Sequence, residues 1–389
     1  MTYDVIIIGG GPSGSLLAFL LSKKGYSNLI LEKEKLPRYK ACGGGLTMKS
    51  INLLPFDVSP VIENAAKGGI LTYQGNELFR VDHKNVVAKY IMRDVFDNYL
   101  IKMALNEGTE IIDAVNIKNI ELNNKESSIN TSNGLFKSKI LIGADGVYSL
   151  VAKYFGLQQN RRTGIALETE ISIPEKALKQ QGSYALFDFG AIEHGYGWIF
   201  PKQSHVSAGI FYANHNNINN LKIYLEKFIA NHHILKDHNI INIKGHKIPL
   251  GGNATQLHTE HGLLIGDAAN LADPWLGEGI YYALRSATIA AEEIDLYLKL
   301  HGYTFSNYTK RINEEIVKQL KHASILSKLV YRYPFGLSKI LSHSTIMQKG
   351  IFDTMRGDIG FKDLEIQLIK NIPNIIKEVF TKRKSNELQ

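Results

Sequence analysis

Directly after the apolar run "YDVIII", the stretch "GGGPSG" places Gly9, Gly11, Ser13 and Gly14 at the start of an amphipathic segment. In a phosphate-binding turn the first glycine permits the tight bend and the second lets a pyrophosphate approach the backbone. The third lets helix and strand pack closely, which aims the helix N-terminus at the phosphates. Glu32 closes the next apolar run, where a carboxylate would accept hydrogen bonds from an adenosine ribose. A glycine turn with no ligand would use the same residues for conformation alone. With strand, helix and acid all in place, the pattern points to a bound dinucleotide.

Three later stretches bear on which dinucleotide. Arg93 opens a helical segment in "MRDVFDNYL", suited either to a phosphate or to a structural ion pair. Asp145 and Gly146 lie in "GADG", between a strand and a helix. "IGDAANLADPWLGEG" puts Gly266 and Asp267 after an apolar strand, then Pro274, Gly277 and Gly279 before a long helix that opens at Ile280. A carboxylate there can hold a ribityl hydroxyl, and the helix start supplies partial positive charge for the flavin N1–C2=O edge. Singly, Asp267 reads as a helix cap and Asp145 as a turn residue; in this order they point to FAD. No second GxGxxG follows, so no separate nicotinamide domain is visible. Electrons would come from NAD(P)H docking transiently or from a reduced protein carrier, and the sequence does not choose.

Two stretches remain. "KACGGGLT" holds the only cysteine of the chain, Cys42, before Gly43, Gly44 and Gly45. Consecutive glycines cost backbone entropy, so either something approaches the main chain there or the turn requires them. "YGWIFPK" reads on its own as a strand of aromatic core. Taken together, "GGGPSG", "RDVFD", "GADG" and "GDAAN…P…GEG" resemble the flavoprotein superfamily of para-hydroxybenzoate hydroxylase. "KACGGGL" and "YGWIFPK" narrow the resemblance to the geranylgeranyl reductase family, whose members bind FAD and saturate isoprenoid double bonds. It covers roughly residues 1–300, and the helical remainder adds no motif.

That resemblance implies roles by position. Gly9, Gly11, Gly14 and Glu32 would hold the adenosine half of FAD, and Arg93 the pyrophosphate side. Asp267 would hold the pyrophosphate–ribityl region, and Gly277, Gly279 and Ile280 the isoalloxazine edge, with Ser13, Lys33, Asp145, Gly146 and Gly266 as further cofactor-binding residues. Ala41, Cys42 and Gly43 would pass beside the flavin ring, and Tyr196, Trp198, Phe200 and Pro201 would line the substrate cavity. The implied reaction moves a hydride from reduced flavin N5 to one alkene carbon while the other carbon takes a proton. Cys42 and Tyr196 are the candidate catalytic residues. A thiol with a reference pKa of about 8.5 is mostly protonated at neutral pH but is a weak acid for an alkene. Cys42 is therefore a positioning group, a relay member with Tyr196 or water, or a small residue filling a turn. The substrate would be a polyprenyl lipid or prenyl diphosphate. Rival readings are an FAD-dependent aromatic monooxygenase and a quinone-linked electron-transfer flavoprotein. The latter often carries an iron–sulfur site, for which one cysteine cannot supply four thiolates. A membrane-associated protein retaining a flavin only for structure is the non-enzymatic alternative.

The elements that must position these residues follow from length and pattern. The chain has 389 residues, 44% of them apolar and 21% charged, ordinary for a protein with a real core. One cysteine excludes an intramolecular disulfide framework and fits a reducing compartment. No leader pattern precedes the first strand, and no apolar run reaches the ~18 residues of a bilayer span. The sequons at Asn130, Asn253 and Asn307 are then chance matches. The net charge of +8 is scattered, with no basic module for nucleic acid. The first 32 residues form a βαβ unit; a hairpin around "QGN" is expected over Ala65–Asp82. A helix follows from Arg93, with Val95, Tyr99 and Met103 at fourfold spacing and Gly108 ending it. The middle of the chain alternates apolar and polar residues as antiparallel strands do. Leu284, Ala287, Ala291, Ile294 and Leu298 mark the buried face of a long helix, and helices continue after Ser306.

The expected fold is α/β: a discontinuous Rossmann-like FAD-binding domain of the GR2 type over 1–64, 85–160 and 255–300. An antiparallel β-sheet substrate domain occupies 65–84 and 161–254, and a helical region 301–389. The closing stretch "IQLIKNIPNIIKEVFTKRK" is apolar and basic, fit for a membrane surface or for a solvated helix, with Pro373 interrupting it. A cytoplasmic monomer is expected, peripheral on the inner membrane face, with a small-molecule isoprenoid substrate, no metal and an open place for a redox partner protein.

Overall fold

Val5, Ile6 and Ile7, on the strand Thr2–Ile8, have no exposed surface. A run buried on both faces belongs at the centre of a parallel sheet covered by helices. The computed structural model, which describes residues 2–123, 126–157, 162–214, 220–253 and 256–386, has it there. Gly134–Gly143 pairs parallel on one side of it and Asn28–Leu31 on the other. Glu110–Ile112 and Gly262–Leu264 extend the sheet in the same direction. The helix Pro12–Lys23 packs between Arg93–Asn106 and Ile280–Lys299. On the last of these, Leu284, Ala287, Ala291 and Ile294 are buried as the spacing predicts, with Leu298 at the margin. On Arg93–Asn106 the buried row is Phe96, Leu100 and Ala104, one position on from Val95, Tyr99 and Met103. Val95 is 47% exposed, because the helix turns its charged Asp97 inward to meet two arginines.

A seven-stranded second sheet runs in the order Asn239–Pro249, Thr163–Ser172, Val206–Tyr212, Gly195–Pro201, Tyr184–Asp188, Gly68–Tyr73, Asn76–Asp82. The last two strands are the expected hairpin, which starts at Gly68 rather than Ala65. Ala65 instead lies in a small three-stranded sheet of Gly45–Thr47, Ala88–Tyr90 and Asn64–Ala66. Every neighbouring pair in the large sheet is antiparallel except Tyr184–Asp188 with Gly68–Tyr73, which is parallel. The hairpin comes from much earlier in the chain, so no tight turn obliges it to run antiparallel to its neighbour. Cross-strand register places Phe187, Trp198, Gly209, Glu168 and Lys244 in one row.

The region after Ser306 is helical, as expected, but it is not an appendage. Leu326, Tyr331, Phe361 and Leu364 share one core cluster with Leu71, Tyr196, Trp198 and Trp275. Pro373 stands in the first turn of Ile372–Asn386, after a break that ends Phe361–Lys370. Lys382, Arg383 and Lys384 of the basic end have side chains outside the described set. Among the described residues no helix is long and apolar enough to cross a membrane.

Packing in the first lobe is tight at Gly14, where a Cβ would land on the carbonyl oxygen of Gly9 and 3.2 Å from Ile7. Gly14→Ala is expected to cost roughly 1–3 kcal/mol or more. Urea unfolding of the variant checks this, and wild-type stability would refute the close-packing account.

Candidate active site

Gly9 sits at φ +106°, and a Cβ there would come within 2.5 Å of the Ala144 carbonyl oxygen, so only glycine turns this corner. Gly11 differs: a Cβ would meet only Arg38 Nη2, at 3.7 Å, and otherwise open space. Gly11 is also the N-cap of Pro12–Lys23 and gives no side-chain cap, so the first N–H groups of that helix keep their donors for a ligand. Gly279 caps Ile280–Lys299 in the same uncapped way. Both helix starts open on one cavity of about 1020 Å³.

The same cavity is lined by Ser13, Glu32, Lys33, Asp145, Gly146, Asp267, Gly277, Gly279 and Ile280. Glu32 is held at its strand end by the N–H groups of Gly10 (2.8 Å) and Glu34 (3.0 Å). One oxygen of Asp145 accepts from the N–H groups of Leu150 (2.6 Å) and Val151 (3.2 Å). Its other oxygen is buried without a protein partner, and burial raises its pKa. The carboxylate of Asp267 stands 3.5 Å from where a Cβ of Gly279 would be, against the long helix. Gly14 and Gly266 stand behind the wall instead: Gly266, at φ +57°, leaves room for Ser13.

Arg93 lines the cavity but is already paired. Its guanidinium donates to both oxygens of Asp97, at 2.8 and 2.9 Å, and Arg38 reaches the same carboxylate at 3.2 Å. Burial works against its charge, yet Asp97 outweighs this and holds its pKa above the ordinary arginine value. The structural ion pair is therefore present, and Arg93 also lies within hydrogen-bond reach of Cys42.

Ala41, Cys42 and Gly43 form another wall. The protein itself requires the glycines here. A Cβ on Gly43 would lie 2.8 Å from Trp198 Nε1 and 3.1 Å from Phe200, and Gly44, at φ +69°, abuts the Ile91 carbonyl. The Gly44 N–H donates to Cys42 Sγ at 3.4 Å. Lys202, unremarked in the sequence beyond closing "YGWIFPK", is 1% exposed. Its ammonium donates to the carbonyls of Gly43 (2.9 Å) and Ile91 (2.8 Å), while burial pulls its pKa down.

Tyr196, Trp198 and Phe200 alternate onto the cavity face of Gly195–Pro201. Pro201 does not belong with them: with a side-chain period of two it points to the opposite face and lines no part of the cavity. The Tyr196 hydroxyl donates to the Leu276 carbonyl, and burial drives its pKa far above the free value. It is an anchored group and a poor acid. A second cavity of about 140 Å³ adjoins the first, sharing Phe187, Trp275, Leu276 and Met355. Its walls are apolar apart from Ser338 and Gln348, and the C-terminal helices supply Leu326, Val330 and Leu341. Sequence reading missed this contribution because no motif marks it. Among the described residues no cluster of three metal-ligating side chains occurs.

Glycine turn, uncapped helix starts and strand-end carboxylate together define a dinucleotide-binding oxidoreductase fold with an aromatic lobe over its cofactor cavity. Residues 2–302 match the family model described as FAD binding domain. The chain belongs to that family and is an FAD-dependent oxidoreductase. The residues present fit FAD: Gly11 leaves its side of the turn open, and Glu32, Asp145 and Asp267 line the same cavity. An uncharacterized protein of Methanosarcina barkeri is 32% identical, over 96% of each chain. A digeranylgeranylglycerophospholipid reductase of Methanocaldococcus jannaschii is 28% identical, over 84% of this chain and 87% of the relative. A crystal structure of a geranylgeranyl bacteriochlorophyll reductase-like protein from Thermoplasma acidophilum superposes with a TM-score of 0.79 at 23% identity. It covers 98% of this chain and 99% of its own, so the C-terminal helices belong to the shared fold.

Asp97→Ala would leave the buried guanidinium of Arg93 without its carboxylate. A stability loss of about 3–5 kcal/mol is expected in chemical unfolding. A loss below about 1 kcal/mol would show that solvent or Cys42 compensates.

Proposed function

We propose that this protein is an FAD-dependent reductase that saturates C=C bonds of a polyprenyl lipid or prenyl diphosphate. The observation that supports it best is the junction of two cavities, one polar and sized for a dinucleotide, the other apolar and narrow. A hydrocarbon chain is recognised by apolar walls and little else, and Leu71, Val330, Leu341 and Phe352 offer such walls. The names of the curated relatives agree with that reading.

When bound and reduced, FAD supplies the hydride. The chain's own residues do the rest. The N–H groups after Gly11 take the pyrophosphate charge, Glu32 the ribose, and Asp267 with the Gly279 helix start the ribityl and ring edge. Phe187, Trp198 and Phe200 keep water from the junction and orient the alkene across it. The Tyr196–Leu276 hydrogen bond fixes the corner where the two cavities meet. Cys42, in the cavity wall, would serve beside the ring as a positioning group. NAD(P)H or a reduced protein carrier restores the reduced flavin.

The enzyme works as a monomer, peripheral on the cytoplasmic face of a membrane. Supporting this, Tyr333, Phe335, Ile369, Ile372, Ile376 and Phe380 are exposed on the C-terminal helices, with Lys339, Lys370 and Lys377 among them. Leu329 is both 49% exposed and part of the apolar cavity wall, so that wall reaches the protein surface there.

Chemical reduction of the bound flavin without oxygen, followed by polyprenyl compounds, is expected to reoxidise the flavin with one hydrogen molecule added per bond. Reoxidation only by an aromatic substrate together with oxygen would favour a monooxygenase instead. In a separate co-sedimentation, wild type should bind vesicles of mixed anionic and neutral lipid several-fold more than the variant Ile369→Ser/Ile376→Ser/Phe380→Ser. Equal recovery of both proteins would remove the membrane face.

A further inference from the structure

Every bond saturated consumes a proton as well as a hydride, and Tyr196 is badly suited to give it. The floor of the large cavity holds a different acid. Glu168 and Glu170 are alternate residues of Thr163–Ser172, so both project from one face, and they are 1% and 4% exposed. The two buried carboxyls are neighbours on that face, and the charge of Glu170 bears on Glu168. Two carboxylates that share a buried site do not both ionise cheaply, so one of the pair holds a proton.

The surroundings fit a held proton. Tyr39 donates its hydroxyl to one oxygen of Glu168 at 2.7 Å, and the other oxygen has no donor from the protein. Burial first, and then the charge of Glu170, push the Glu168 pKa up, while Tyr39 and Lys202 oppose the shift. Lys244 stands opposite on the neighbouring strand, and the Lys40–His246 pair lies farther along the same cavity wall. Glu168 itself lines the cavity. In its cross-strand row Gly209 separates it from Trp198, and the indole occupies the space that a side chain on Gly209 would fill. On the far side His205 Nε2 is 3.0 Å from Glu170, with 15% of its side chain exposed, and Tyr39 is 38% exposed. The carboxyl pair that lines the cavity thus has a hydrogen-bonded exposed tyrosine on one side and a histidine 3.0 Å away on the other.

We propose that Glu168, sharing a proton with Glu170, is the acid that protonates the bound alkene, and that His205 and Tyr39 resupply the pair from solvent. The proposal rests on the reductase reading above. As the C=C π bond breaks, one new C–H bond takes a hydride from the reduced flavin, which loses two electrons. The other C–H bond takes the proton of Glu168, whose carboxylate regains one from the Glu170 side and so from water.

Glu168→Gln and Glu170→Gln keep the shape of the site and remove the shared proton. In anaerobic single turnover, Glu168→Gln should form product on the order of a hundred-fold more slowly, with FAD content and chemical reduction of the flavin unchanged. A second readout needs no flavin. The folded pKa of Glu168 is pushed up to about 8 from an unfolded value of 4.5, so the folded state keeps a proton that the unfolded chain releases. Stability should then fall as pH rises from about 4.5 to about 8, and Glu168→Gln should flatten that slope. Wild-type turnover by Glu168→Gln, or loss of turnover confined to Cys42→Ala, overturns the proposal and leaves the reductase reading standing. An unchanged pH slope overturns the shared proton. If wild type itself makes no product from any polyprenyl compound, the reductase reading fails, and the acid role goes with it.

Discussion

The ammonium of Lys202 lies inside the protein between two backbone carbonyls, one from the cysteine loop and one from the residue that leads into the Arg93 helix. Lys202 belongs to the aromatic hairpin, so three separate segments meet on a single charge. A buried cation is costly unless hydrogen-bonded and electrically compensated. Two carbonyl dipoles supply the hydrogen bonds, and the nearby Glu170 supplies opposing charge. Once Lys202 is seated, Gly43 must lie against Trp198 and Phe200, and the cysteine loop cannot drift from the aromatic wall. The relative placement of the cofactor lobe and the sheet lobe depends on that contact.

From this staple the functional geometry follows in order. The sheet face that carries Trp198 continues through Phe187 to Leu71, and polarity falls along the way. At one end stand Lys244 and Glu168; at the other, the C-terminal helices close an apolar space over Gly69 and Leu71. A single sheet face thus grades from a buried carboxyl pair to an apolar cavity, with the cysteine loop above its middle.

Local signals made the cofactor half readable. Gly9, Gly11 and Glu32 act within one βαβ unit, where turn geometry and spacing carry the information, and Asp267 lies within one strand–turn–helix. Pro201 was assigned with its neighbours because a motif was read as a block, whereas the strand sorts it to the other face. Around Arg93 the sequence leaves phosphate and ion pair open; Asp97, four residues on, supplies the ion pair, and Arg93 still lines the cavity. Lys202, Glu168 and the helices after Ser306 were silent because their meaning arises from contacts across long stretches of chain. Leu326 reaches the aromatic strand only when the whole sheet is assembled. No periodicity reports that.

The one parallel junction of the large sheet has a consequence in time. The hairpin Gly68–Asp82 leaves the ribosome long before Tyr184–Asp188, the strand that must lie beside it. Until then Gly68–Tyr73 has an open row of backbone donors and acceptors, with Ile70 bare on one face and Leu71 on the other. Such an edge is a template for the wrong strand, and its proper partner arrives late and from far away. The nascent chain therefore spends its most vulnerable interval with part of its future apolar cavity wall already formed and uncovered.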